Sequence, residues 1–237
     1  METGPSSRST ATGHPERVAA FWDGFKRNTG WFLRWLGDWE THGTENMPES
    51  GPVIVVSNHV SYSDPLLTGW ALRRPGAFMA KAELFKYPVV RWFCVNAGAF
   101  PILRGVGDLG AIETAGLILR DGWPLIVYPE GTRNDTGKWG AIRLRSGAAR
   151  IALTYRVPIL PVANIGTHRI LPTGAWWPRR VHAEARIGKP LMPADYLPPE
   201  DWPIEEQLRY VNDKIFWAVA ELLPDDMKVL PTDAPRP

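Results

Sequence analysis

Cysteine is almost absent from this chain: Cys94 stands alone among 237 residues, which excludes an internal disulfide and suits a reducing compartment. Its neighbours Trp92, Phe93 and Val95 are apolar, the setting of a buried, inert thiol rather than of a nucleophile. Long apolar runs are missing too. No window approaches the roughly 18 consecutive apolar residues of a membrane span. Residues 1–15 lack the apolar core of a secretory signal, so the chain is expected neither to cross a bilayer nor to be exported by that route. Charge of one sign is not in excess: the formal net charge is +2, no polyanionic partner follows from it, and any basic patch must be local. The run Arg143, Arg145, Arg150 reads as a solvated or lipid-facing surface, and nucleic-acid binding has no other support. Histidines are few and scattered. His14, His42, His168 and His182 make no close-spaced ligand set with His59, so no metal is expected. His168 follows a strand-like run and reads as a solvated loop residue.

Tryptophan, by contrast, is plentiful, with 12 residues. Amphipathic rings of this kind favour the membrane–water boundary, although core packing would account for most of them equally well. With 44% hydrophobic and 22% charged residues, the chain suits one α/β domain with a full core and is too short for two of ordinary size. Residues 1–16, rich in Ser, Thr, Gly and Pro, read as a disordered tail. In residues 17–40, Val18, Phe21, Trp22, Phe25, Trp31, Phe32, Trp35 and Leu36 recur at helical spacing among Arg17, Lys26, Arg27 and Arg34, and Asn28-Thr29-Gly30 interrupts them. The pattern predicts a short pair of amphipathic helices that dock on a membrane. A helical pair packed on the domain is the alternative, since periodicity does not say what a face buries against. Residues 41–223 form the main domain, and 224–237 a second disordered tail.

Within the domain, strand-like runs at 53–56, 77–80, 98–104, 123–128 and 157–162 alternate with helical patterns at 65–72, 88–93, 109–120 and 147–155, the last capped by Ser146. The alternation predicts an α/β fold, a single domain whose central mixed, largely parallel sheet is flanked by helices. Residues 181–187 alternate as an edge strand would, and 205–223 read as a helix. Trp176-Trp177-Pro178-Arg179-Arg180 looks like an exposed loop with membrane-facing chemistry.

The domain is organised around Ser57-Asn58-His59-Val60-Ser61-Tyr62-Ser63-Asp64-Pro65. The β-branched run before it is a buried strand, and Pro65 opens a helix in its first turn. The polar stretch is thus a loop at a strand's carboxyl end, where open α/β sheets build their sites. An imidazole titrates near neutral pH, so one nitrogen of His59 can take a proton from a hydroxyl while the Asp64 carboxylate holds the other. On this segment alone a second reading weighs equally: Asp64 caps the helix and His59 is a polar loop residue. Two more strand ends carry charge. Arg104 closes one strand, and Arg133 follows another with Gly131 between. Glycine lets main-chain N–H groups approach an oxyanion, and arginine offers a forked, permanently charged donor matched to phosphate. Taken singly, each arginine is better read as a surface ion pair.

Taken together, Asn58-His59-x-x-x-x-Asp64, Gly98-x-Phe100-x-x-x-Arg104, Pro129-Glu130-Gly131-Thr132-Arg133 and Val157-Pro158-Ile159-Leu160-Pro161-Val162 resemble, in order and spacing, the four motif blocks of the glycerolipid acyltransferases. The likeness is strongest to the bacterial 1-acyl-sn-glycerol-3-phosphate acyltransferases. Lys81-Ala82-Glu83-Leu84-Phe85 with Pro88 resembles the family's segment between its first two blocks, and Ile187-Gly188-Lys189-Pro190 its late strand, so the resemblance spans about residues 45–190. It implies acyl transfer from acyl-CoA or acyl carrier protein to the sn-2 hydroxyl of lysophosphatidic acid, giving phosphatidic acid, with no cofactor beyond that co-substrate. It implies His59 as general base and Asp64 as the group that fixes and stabilises its ring. Arg104, Arg133 and Lys81 would hold the acceptor phosphate, with Asn58, Glu130, Gly131 and Thr132 shaping that pocket. Main-chain N–H groups near Asn58 or Gly131 are candidates for the oxyanion. With its single cysteine, its tryptophans and its amphipathic helical pair, the chain is expected to be cytoplasmic, peripheral on the inner face of the cell membrane.

Two positions depart from the family: Tyr128, where Phe is usual, and Asn134, where Ser or Thr is usual. Both leave the reaction class intact and put the acceptor in question. Three rivals stand beside this reading. The acceptor is another lysophospholipid, a glycolipid or a lyso-ornithine lipid; or the chain is a hydrolase using Ser61 or Ser63, against which it has no Gly-x-Ser-x-Gly elbow; or it is a non-catalytic lipid-binding module, against which the intact His59 and Asp64 count.

Overall fold

One sheet carries the domain. The computed structural model describes residues 15–102, 109–170 and 179–230. Its strands are β1 (Trp39–His42), β2 (Val53–Ser57), β3 (Ala77–Lys81), β4 (Ala99–Ile102), β5 (Pro124–Val127), β6 (Ile159–Ile165) and β7 (Ala183–Ile187). They lie in the order β1-β7-β6-β2-β5-β3-β4. From β6 to β4 every pairing is parallel, whereas β7 runs antiparallel to β6, with β1 parallel to β7. This is the expected mixed, largely parallel sheet. The helices are α1 (Pro15–Gly37), α2 (Asp64–Ala71), α3 (Pro88–Asn96), α4 (Leu109–Arg120), α5 (Gly147–Tyr155), α6 (Pro193–Tyr196) and α7 (Ile204–Ala220).

β2 is buried along its whole length, as a central parallel strand covered on both faces must be. Successive side chains point to opposite faces, and each face has its own core. Ile54 and Val56 join a cluster with Ile118 of α4, Ala152 of α5 and Ile215 of α7. Val53 and Val55 join Val18 and Trp22 of α1 and Leu67 of α2 on the other side. The sheet is thereby fixed between two helical layers, and the loops at the carboxyl ends of its parallel strands are free to carry polar groups.

Three expectations are corrected. The amphipathic pair is one continuous helix, α1. Thr29 donates its hydroxyl to the Phe25 carbonyl one turn back at 2.6 Å, and a single mid-helix glycine costs only about 1 kcal/mol, less than burying Trp22 returns. The first half of this helix packs on the domain, as the alternative reading had it. Trp22 donates Nε1–H to the Ala97 carbonyl, and Lys26 Nζ donates to the Leu72 carbonyl at 2.7 Å. Secondly, β7 is no edge strand: it lies between β6 and β1, with Ala183 and Ala185 buried. Its alternation reflects one face packed in the core, which an interior strand shares with an edge. Thirdly, residues 224–230, expected in the second disordered tail, are ordered against the core: Asp225–Met227 form a 3-10 turn and Met227 is buried. Among the described residues no helix is long and apolar enough to cross a membrane.

Candidate active site

Asp64 is the first residue of α2 and fully buried, and His59 sits five residues before it on the loop from β2. Asp64 Oδ2 lies 3.0 Å from His59 Nδ1. The same oxygen accepts the main-chain N–H groups of Val60 at 2.6 Å and Ser61 at 2.7 Å. Of the two earlier readings the structure has the first: Ser63, not Asp64, is the N-cap of α2, and the Asp64 carboxylate turns back to hold the His59 loop and its imidazole. An oxygen that already takes two N–H donors acts as an acceptor toward the ring as well, which puts the ring proton on Nδ1 and leaves Nε2 with its lone pair. The His59 side chain is 15% exposed, enough for one nitrogen to meet a substrate.

The ring is held from a second side by Tyr128, stacked on it with centroids 4.5 Å apart. The Tyr128 phenol donates to Thr68 Oγ1 at 3.2 Å, and burial pushes its pKa well above the ordinary value, so it stays a neutral donor. Beneath lies a polar network. Asn164 Nδ2 donates to Ser57 Oγ at 2.9 Å and to Thr68 Oγ1 at 3.0 Å. Asn58 is wholly buried; its Nδ2 donates to the Asn164 carbonyl at 2.9 Å and its Oδ1 accepts the Asn164 N–H at 2.7 Å. Its amide thus fastens the start of the His59 loop to β6.

Glu130, just beyond β5, clamps the other end. Its Oε2 accepts the His59 main-chain N–H at 2.8 Å, and its Oε1 accepts Asn134 Nδ2 at 2.7 Å. Asn134 N–H in turn donates to the His59 carbonyl at 2.7 Å. Burial raises the Glu130 pKa to about 7, against the lowering effect of those hydrogen bonds. Gly131 turns the chain with φ +68°, and its own N–H is committed to the Tyr128 carbonyl at 2.9 Å. Thr132 is exposed. Arg133 donates Nε–H to Asp135 Oδ1 at 2.7 Å and lays its guanidinium over the Tyr62 ring at 4.1 Å, so the two loops touch.

The sheet order explains why these loops meet. β2 and β5 are adjacent and parallel, β3 lies next to β5, and β4 next to β3. Their carboxyl ends lead into His59, Glu130 to Arg133, and Lys81 along one sheet edge. Lys81 is exposed and pairs with Glu83 at 3.4 Å. Arg104 and the Trp176-Trp177 loop lie outside the described residues. Among the described residues, no group of three or more His, Cys, Asp or Glu is placed to hold a metal ion. Cys94 is half-buried on α3, and burial raises its pKa.

The family model described as Acyltransferase matches residues 38–165. This chain belongs to the acyltransferase family. Its fold resembles the crystal structure of the 1-acyl-sn-glycerophosphate acyltransferase PlsC from Thermotoga maritima, with TM-score 0.64, 32% identity, and coverage of 86% of this chain and 79% of that one. It is 30% identical over 178 residues to the chloroplastic 1-acyl-sn-glycerol-3-phosphate acyltransferase BAT2 of Brassica napus, across 69% of this chain and 50% of that protein. The match to the Bacillus subtilis 1-acyl-sn-glycerol-3-phosphate acyltransferase is 26% identical and covers 78% of this chain and 88% of the relative. A lyso-ornithine lipid O-acyltransferase of Pseudomonas aeruginosa is 36% identical over 48% of this chain and 47% of its own length. The chain thus spans about half the length of several relatives that it matches.

Within this acyltransferase, Thr68 and Asn164 are site residues that the motif blocks did not announce. Both are polar residues inside an apolar helix and an apolar strand, a signal that the sequence does carry. His168 follows β6, half-buried, with a pKa that burial lowers.

Proposed function

We propose that this protein transfers a fatty acyl group from a thioester donor, acyl-CoA or acyl carrier protein, to the sn-2 hydroxyl of 1-acyl-glycerol-3-phosphate. The product is phosphatidic acid, a step in phospholipid biosynthesis. The observation that carries the reading is the His59–Asp64 pair at 3.0 Å, with the glycine- and arginine-bearing Glu130 loop bound directly to the main chain of His59. The names of the relatives supply the acceptor. In this reading Nε2 of His59 takes the hydroxyl proton as the oxygen attacks the thioester carbonyl. The carbon–sulfur bond then breaks and the thiolate leaves with the proton from the imidazolium, while Asp64 holds the ring through Nδ1. Arg133, with Lys81 and Arg104, holds the acceptor phosphate so that the hydroxyl meets His59. Asn58 and Glu130 keep the loop in place, with Gly131 and Thr132 lining the turn. No cofactor or metal enters the scheme.

The work takes place on the inner face of the cell membrane. Trp31 on α1 and Tyr87, Val89 and Trp92 on or beside α3 are exposed, with Lys86 and Arg91 among them, a mixture suited to an anionic lipid surface. The test is phosphatidic acid formation from lysophosphatidic acid and a long-chain acyl-CoA, with His59→Ala in parallel. Wild type should give product, and the folded variant should lose about 10²–10⁴ in rate, the usual share of a general base. Undiminished turnover by His59→Ala would sink the assignment. Lyso-ornithine lipid belongs in the same assay, because the Pseudomonas aeruginosa relative acts under that name.

A further inference from the structure

The loop before α5 runs against the Glu130 loop: the Arg145 N–H donates to the Pro129 carbonyl at 2.8 Å. From there the Arg145 side chain crosses Gly131. A Cβ at position 131 would stand 2.3 Å from Arg145 Cδ and 2.5 Å from Nε, so the absence of a side chain there is what admits the arginine. Arg145 is exposed, and its guanidinium has no hydrogen-bond or ion-pair partner among the described residues. In the same turn the main-chain N–H groups of Thr132 and Arg133 have no acceptor among the described residues. Arg133 itself is partly engaged, with Nε on Asp135 and its face on Tyr62.

An unpaired charged fork beside two unengaged N–H donors is the donor set that a phosphate takes. We propose that Arg145 binds a substrate phosphate at the acyl-transfer site, across the Gly131 turn from His59. The inference rests on the acyl-transfer reading for the identity of that substrate, whose two phosphate sources are the acceptor's monoester and the phosphates of coenzyme A.

The experiment is steady-state kinetics of Arg145→Ala with lysophosphatidic acid and acyl-CoA each varied in turn. The expected result is a rise of about tenfold or more in one KM, with kcat changed less than about threefold. A rise for lysophosphatidic acid assigns the contact to the acceptor, and a rise for acyl-CoA assigns it to the donor. Arg145→Lys should recover part of the loss, and Arg143→Ala, the same charge removed two residues away, should leave both constants unchanged. Both KM values within twofold of wild type overturn the proposal. Calorimetric titration with glycerol 3-phosphate and with coenzyme A reads the same contact without turnover. Weaker binding of either to Arg145→Ala sustains the phosphate site even if the wild type forms no phosphatidic acid, which would count against the acyl-transfer reading alone; equal binding of both overturns it.

Discussion

Glu130 is a buried carboxyl bound to the main chain of His59. An ordinary glutamate releases its proton near 4.5, whereas buried Glu130 keeps it to about 7. Between those values the unfolded chain has lost a proton that the folded chain retains, so this residue makes stability fall as pH rises through that window and level off above it. The loss is on the order of 3 kcal/mol. Glu130→Gln removes the titration, so urea unfolding of the two proteins should show wild type losing ground to the variant from pH 4.5 to 7. A constant difference between them would show that burial imposes no such penalty. At this scale the sequence was legible where the chemistry is local: His59 and Asp64 lie in one loop, and the position of Asp64 at a helix start is what turns its carboxylate back onto the ring. The clamp that Asn134 makes on Glu130 and the His59 carbonyl was not legible, because it depends on a loop crossing that residue spacing does not encode.

At the scale of elements, α1 crosses α2 through one glycine. A Cβ on Gly69 would lie 2.2 Å from Cη2 and 2.4 Å from Cζ2 of Trp22. That indole is buried and tied to the Ala97 carbonyl, so it has little freedom to move. Alanine gains about 0.5–1 kcal/mol of helix propensity over glycine, and overpacking costs about 1–3 kcal/mol. The steric effect wins, and Gly69→Ala should be less stable than wild type by about 1–2 kcal/mol in urea. A variant as stable as wild type would mean that the two helices separate easily. The central strands and α4 were readable because continuous β-branched runs and helical periods are local patterns. β1 was not: Trp-Glu-Thr-His is short and polar, and it becomes a strand only because β7 offers a partner. The place of β7 inside the sheet was hidden for the same reason.

At the scale of the whole molecule, α3 stands out from the body with Val89 80% and Trp92 61% exposed, and Trp31 of α1 is 69% exposed. The Phe21 ring of α1 meets Trp92 and Phe93 edge-on, at 6.1 and 5.4 Å between centroids, which holds the two helices together. Removing α1 would strip Val18 and Trp22 from the core, so its loss would confuse unfolding with detachment. The double substitution Tyr87→Glu with Val89→Glu touches only exposed positions outside that aromatic contact. It should lower co-flotation with anionic vesicles at least severalfold while the unfolding midpoint moves little, since surface changes are usually within about 0.5 kcal/mol. Unchanged flotation would exclude this face.

The pairing of Asn58 with Asn164 bridges 106 residues, and β2 sits between two strands that come much later in the chain. Contacts so distant in sequence close slowly, because loop entropy must be overcome before they are rewarded. During synthesis the His59 loop emerges early, yet it has no floor until β6 has followed. If the proposed acyl transfer is right, the site becomes competent only once β6 has been made, and a fragment ending before residue 159 should bear every motif of the first three blocks and do no chemistry.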